Sequence, residues 1–209
     1  MHALIALWFG WVRDWGYAGV VVLMALESTV FPVPSEVVIP PAAYWVSQGH
    51  MTLFGVIFAG TLGSFLGSAV SYWGARWAGR LAVAKFGHRF WITEEKLERA
   101  ERFLQRYGTG GVFFARLLPV VRHLVSMPAG MLRMGFAKFS ALTVAGSAVW
   151  CAVLAWVGAR VAERNPGLIE NPEAMIKAVK HESLWFVGGV LLLAVLYGVT
   201  MRLTARSRN

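Results

Sequence analysis

Residues 17–46 read YAGVVVLMALESTVFPVPSEVVIPPAAYWV, an apolar stretch of membrane-spanning length that no straight helix can use. It contains Glu27, Pro32, Pro34, Glu36, Pro40 and Pro41. Proline removes a backbone donor and clashes with the preceding turn, so the stretch should break near its middle into two half-helices. Broken backbone at membrane depth survives only where protein covers it or it lines a wet cavity. The same pattern returns in residues 110–132, GGVFFARLLPVVRHLVSMPAGML, with Arg116, Pro119, Arg122 and Pro128. Pro32, Pro34, Pro119 and Pro128 are the candidate hairpin breakers.

Around these two stretches the composition is that of a membrane protein. Of 209 residues 57% are hydrophobic and only 15% charged. Two uninterrupted apolar runs, 51–77 and 139–159, and a third near 184–201, each approach the roughly 20 residues a helix needs to cross hydrocarbon. Trp73, Trp77, Trp150, Trp156 and Trp185 suit either headgroup-level anchoring or packing between helices. The formal charge of +9 has no basic stripe interleaved with aromatics on a soluble domain, so lipid headgroups match it better than nucleic acid does.

The charges also orient the chain. Arg76, Arg80, Lys85, Arg89, Lys96, Arg99, Arg102 and Arg106 gather in one segment, and Arg202, Arg206 and Arg208 in the tail, placing both on the cytoplasmic side. Within that segment Thr93 suits a helix cap, with Glu95/Arg99 and Glu98/Arg102 at i,i+4 and Gly108 as a stop. Met1 to Val12 lacks a basic start and a cleavage site, so the N-terminus is expected to be retained. Cys151 is the single cysteine, which excludes an internal disulfide and a cysteine-based metal site.

Each half has one order of parts: an apolar lead-in, a proline break flanked by charges, a Pro-Ala pair, then a spanning helix. One odd-numbered crossing separates the halves, so the repeats should be inverted, an architecture of transporters with a midplane site. The expected organisation is all-α, with an apolar or interfacial N-terminal helix at 1–16 and a core at 17–161 holding hairpins 17–46 and 110–132. Spans 51–77 and 139–159 belong to that core. An extracytoplasmic loop at 162–183 and a final helix with basic tail at 184–209 complete the chain.

The break charges are acidic in the first half and basic in the second. Ionisable groups in hydrocarbon cost about 2.5–3.5 kcal/mol each even on lenient scales, so they require pairing or water. Arg116 and Arg122 offer guanidinium forks to a phosphate, while Glu27 and Glu36 suit proton exchange or pairing with the arginines. A purely structural ion cluster remains open. The stripe Ala59, Gly63, Gly67 and Ser71 suits close helix contact.

Glu27 followed by Phe31-Pro32-Val33-Pro34-Ser35-Glu36 with Pro40 resembles the first motif of the DedA family, part of a superfamily also known by the VTT domain. Its second motif is similar to Phe114-Ala115-Arg116-Leu117-Leu118-Pro119-Val120-Val121-Arg122 followed by Ala129-Gly130. Ala43 departs from the glycine of many relatives. The resemblance spans Tyr17 to Val161 and implies two re-entrant hairpins, residence in a bacterial cytoplasmic membrane, and proton-linked lipid translocation. It implies acidic roles for Glu27 and Glu36, and basic ones for Arg116 and Arg122. The expected function is transport of a phosphate-bearing lipid, undecaprenyl phosphate first, with protons as partners and no cofactor, metal or catalytic residue. Alternatives are a phospholipid flippase or scramblase, acting on phosphatidylethanolamine for example, and a non-transporting assembly factor. A lipid phosphatase using His123 ranks below these, and homo-oligomerisation stays open.

Overall fold

The protein was analysed as a computed structural model describing residues 2–29, 34–87, 94–118, 122 and 124–164, with 178, 179, 181, 185, 186, 188 and 189 near the end. Among the described residues it is all-helical, with seven α-helices and no strand. Helix α1 (His2–Trp15) turns at Gly16 (φ +55°) into α2 (Tyr17–Thr29). A 3-10 turn, Ser35–Val37, leads into α3 (Ile39–Ser47). Helix α4 (Leu53–Gly87) is followed by α5 (Glu94–Arg116), the short α6 (Ser126–Met131) and α7 (Phe136–Arg164).

Both proline-bearing stretches are divided. The first separates into α2 and α3, and Pro40 and Pro41 fall in the first turn of α3, where a missing N–H leaves no helical bond unmade. The second separates after Arg116, and Pro128 occupies the first turn of α6 in the same way. Pro32 and Pro119 lie outside the described residues, as do His123, Thr93 and nearly all of the run near 184–201. Gly108 does not end a helix. Helix α5 runs through it and through Gly110 and Gly111, because burial of Leu104, Val112 and Ala115 in one cluster with Tyr72 and Phe139 outweighs the ~1 kcal/mol each glycine costs.

The ends of α3 and α6 are built alike. Gly49 N–H bonds Val46 O and His50 N–H bonds Trp45 O, the paired bonds of a Schellman cap with Gly49 at φ +76°. Arg133 N–H bonds Gly130 O and Met134 N–H bonds Ala129 O, with Arg133 at φ +51°. Each cap turns the chain into a long helix, α4 in the first case and α7 in the second.

Helix α4 shows why the long helices belong in a bilayer. Phe54, Phe58, Leu62, Leu66 and Val70, one residue in four, are all exposed, a continuous apolar stripe that soluble proteins rarely present. Both α4, over Leu53–Ala78, and α7 are long and apolar enough to cross. The neighbouring face of α4, about 100° round the helix, carries Ala59, Gly63, Gly67 and Ser71 and packs on α2. A Cβ on Gly63 would lie 2.4 Å from Val21 O, and one on Gly67 2.1 Å from Ala25 O. Ser71 Oγ donates to Ser28 O at 3.3 Å. Backbone touches backbone along this seam, which is how helices associate where lipid removes the hydrophobic drive.

Gly67→Ala is therefore expected to lower stability by about 1–3 kcal/mol, as overpacking does, whereas Gly74→Ala, with open space around it, leaves it near wild type. Thermal unfolding in detergent checks both; equal effects would mean the seam is not close-packed.

Candidate functional site: a buried charge cluster between the two breaks

Helix α2 ends two residues after Glu27, and the 3-10 turn places Ser35 and Glu36 beside it. Helix α5 ends on Arg116, and Arg122 follows in the second break. All four predicted charges are buried: Glu27 is 7% exposed, Glu36 9%, Arg116 0% and Arg122 1%.

Arg122 bridges the two halves. Its Nη2 lies 3.1 Å from Glu27 Oε2, a buried ion pair; the other described ion pairs are exposed. Arg122 Nη1 donates to Ser35 Oγ at 3.1 Å, and Nη2 to Ser64 Oγ of α4 at 3.4 Å. Ser35 Oγ also accepts from Trp150 Nε1 of α7 at 3.1 Å, and the Trp150 ring lies 5.8 Å from the Arg122 guanidinium. Four elements thus converge on one side chain. Burying an ion costs several kcal/mol even after relaxation, and it is offset only when carboxylate and hydroxyls together fill the fork.

Arg116 works within its own half. Nη1 donates to Arg122 O at 2.8 Å and Nη2 to Ser126 Oγ at 2.7 Å, which fastens the end of α5 to the start of α6. Its guanidinium stands 5.8 Å from the Phe139 ring. Among the described residues no carboxylate forms an ion pair with it, and its Nε–H has no partner. The cluster therefore holds one cation paired to an anion and one held by neutral groups. Among the described residues Glu36 makes no ion pair or side-chain hydrogen bond.

The residues that complete this site were not singled out by sequence. Ser35 sat inside a quoted motif without a role, and Ser64 and Ser126 have no periodicity that marks them. Of the two readings open for Trp150, packing between helices holds: it is fully buried and hydrogen-bonded. Trp77, Trp156 and Trp185 are exposed. Among the described residues no group of three His, Cys, Asp or Glu side chains forms a metal site.

The VTT domain family matches residues 33–160, which hold Glu36, both arginines and helices α3 to α7 up to the last turn. The chain belongs to that family. Among its relatives are the undecaprenyl phosphate transporter A of Bacillus subtilis, 35% identical over 90% of this chain and 95% of that protein, and the protein of the same name from Staphylococcus aureus, 29% identical over 66% and 70%. An alkaline phosphatase-like protein of Lactococcus lactis subsp. cremoris is 28% identical over 95% and 93%. No solved structure matches the chain. Other VTT-domain relatives carry names that say membrane protein, in keeping with the exposed apolar stripe of α4.

Arg122→Met strands the Glu27 carboxylate and is expected to cost about 3–5 kcal/mol, while Glu27→Leu with Arg122→Met costs much less than the two single changes combined. A double-mutant cycle from thermal unfolding measures this; additivity would mean the 3.1 Å pair contributes no coupling.

Proposed function

We propose that this VTT-domain protein carries undecaprenyl phosphate across the bacterial cytoplasmic membrane, with Arg116 and Arg122 receiving the phosphate and Glu27 and Glu36 handling protons. The observation that carries the reading is Arg116: a fully buried cation, held among the described residues by neutral groups, beside a second arginine already engaged with a carboxylate. Two guanidinium forks meeting at one place suit a doubly charged phosphate headgroup, whose tail stays in lipid. The Bacillus subtilis relative, aligned along nearly the whole chain, supports the choice of lipid.

The proton role follows from exchange at Arg122. Phosphate arriving there competes with Glu27 for the same fork, and a protonated Glu27 releases it without leaving a bare carboxylate in hydrocarbon. Release on the other side restores the Glu27–Arg122 pair. Binding and protonation would thus each favour the opened state, as a coupled carrier requires.

The broken stretches act as re-entrant hairpins in two inverted repeats, the first entering from outside and the second from the cytoplasm. The packing supports this. Helix α2 packs on α4 as α5 packs on α7, and α3 crosses to α7 as α6 crosses to α4. The glycine contacts exchange too: Gly158 of α7 meets Pro40 and Ala43 of α3, while Gly130 of α6 meets the Tyr72 backbone of α4. The twin Schellman caps stand at equivalent places. Basic residues of the 76–107 segment and of the tail, Arg202, Arg206 and Arg208, put those regions and the C-terminus in the cytoplasm.

The test is translocation of fluorescent polyprenyl phosphate and of phosphatidylethanolamine in proteoliposomes, with and without a pH gradient. Wild type should move the polyprenyl phosphate, faster with the gradient. Arg122→Ala should abolish movement, Glu36→Gln should remove the response to the gradient, and Arg116→Lys should reduce the rate tenfold or more, because lysine lacks the fork. Full transport by Arg116→Lys and Arg122→Lys would sink the bidentate role. Inorganic phosphate released by wild type and lost in His123→Ala would mark a phosphatase instead.

A further inference from the structure

We infer that helix α7 forms a wall of the phosphate site, with Thr143 and Ser147 as headgroup ligands alongside Arg116 Nε. The inference rests on the transport reading above and extends it to residues outside both charged motifs.

Four buried side-chain atoms lack a hydrogen-bond partner among the described residues: Arg116 Nε, Ser140 Oγ, Thr143 Oγ1 and Ser147 Oγ. Three belong to one helix and the fourth lies against it. Thr143 and Ser147 are 0% exposed, as is Arg116. Helical hydroxyls in apolar surroundings ordinarily donate to the carbonyl one turn back. Helix α4 shows this habit in the same protein: Thr61 Oγ1 donates to Ile57 O at 2.7 Å and Ser68 Oγ to Ser64 O at 2.5 Å. The hydroxyls of α7 do not.

Their position is defined by what flanks them. Arg116 begins against Gly146, where an added Cβ would come 2.6 Å from Arg116 Cβ, and ends with its guanidinium by Phe139. The side chain therefore starts at the level of Gly146 and turns its guanidinium toward Phe139, and Thr143 lies between those two residues on the same face by the 3.6-residue period. One turn further, that face presents Ser147 and then Trp150, which meets Arg122. The stripe 139, 143, 147, 150 thus leads from one arginine to the other.

Thr143 and Ser147, at i and i+4, have Cβ atoms about 5–6 Å apart, a gap that one tetrahedral oxyanion can bridge with an ordinary hydrogen bond to each side. With the Arg116 Nε–H they present three donors, which match the three terminal oxygens of a phosphate monoester; a phosphodiester offers two. The ligand class is a lipid phosphate monoester.

The experiment measures transport of fluorescent polyprenyl phosphate in proteoliposomes against lipid concentration, for wild type, Thr143→Val, Thr143→Ser, Ser147→Ala, Ser68→Ala and Arg122→Ala. Thermal unfolding of each in detergent serves as the folding control. Thr143→Val keeps the shape and removes the hydroxyl. It and Ser147→Ala are expected to raise the half-saturating lipid concentration about tenfold each, the size of one hydrogen bond to a charged group. Thr143→Ser should recover most of the loss, and Ser68→Ala should match wild type. Unchanged concentration dependence in Thr143→Val and Ser147→Ala, with Arg122→Ala inactive, overturns the α7 wall and leaves the transport reading standing. Full activity of Arg122→Ala overturns the transport reading, and the wall with it.

Discussion

A guanidinium that leaves water for the interior of a membrane protein must find its donors partners, and that requirement at Arg122 organises everything around it. Its fork draws on Glu27 from the first half, Ser35 from the turn after it and Ser64 from α4, while Ser35 in turn holds Trp150 of α7. Each partner comes from a different element, so none can withdraw without stranding a buried polar group. The close seams are what allow this convergence. Had Gly63 and Gly67 carried side chains, α2 would stand off from α4, and Glu27 would be carried away from Arg122.

The two arginines divide the labour. Arg116 closes its own break by binding the Arg122 carbonyl and Ser126, a contact that would survive movement of one half against the other. Arg122 holds the halves together, and its bonds are the ones such movement must exchange. The transport proposed above needs both kinds: a fastener that keeps each broken stretch shaped, and a latch whose partner substrate can replace.

Much of this was legible because membrane constraints leave few choices. A run of apolar residues interrupted by Pro34 and Glu36 has no straight-helix solution, and small residues at every fourth position of α4 have no other evident use. The four charges announced themselves by their cost. Their pairing did not, since Glu27 and Arg122 are far apart in sequence and nothing local says which carboxylate meets which arginine. Gly108 misled for a related reason: glycine punctuates a helix only where packing does not override it, and the apolar side of α5 continues past it. Between anchoring and packing, the sequence could not choose for Trp150, because a tryptophan near a helix middle looks the same whether its N–H faces headgroups or a serine across the core.

Hydroxyls were the least visible feature and prove to be the most informative. Ser35, Ser64 and Ser126 are short, common and without period, yet each accepts a hydrogen bond from a guanidinium N–H that no apolar residue could accept. Serine and threonine suit this position between charges because they can donate or accept according to what faces them. On the transport reading proposed above, a site lined by fixed carboxylates would hold its arginines too firmly to let a phosphate in, and one lined by apolar residues could not hold them at all. Hydroxyl partners lie between these extremes: they satisfy the buried guanidinium donors without fixing them by charge, and they can reorient when what faces them changes.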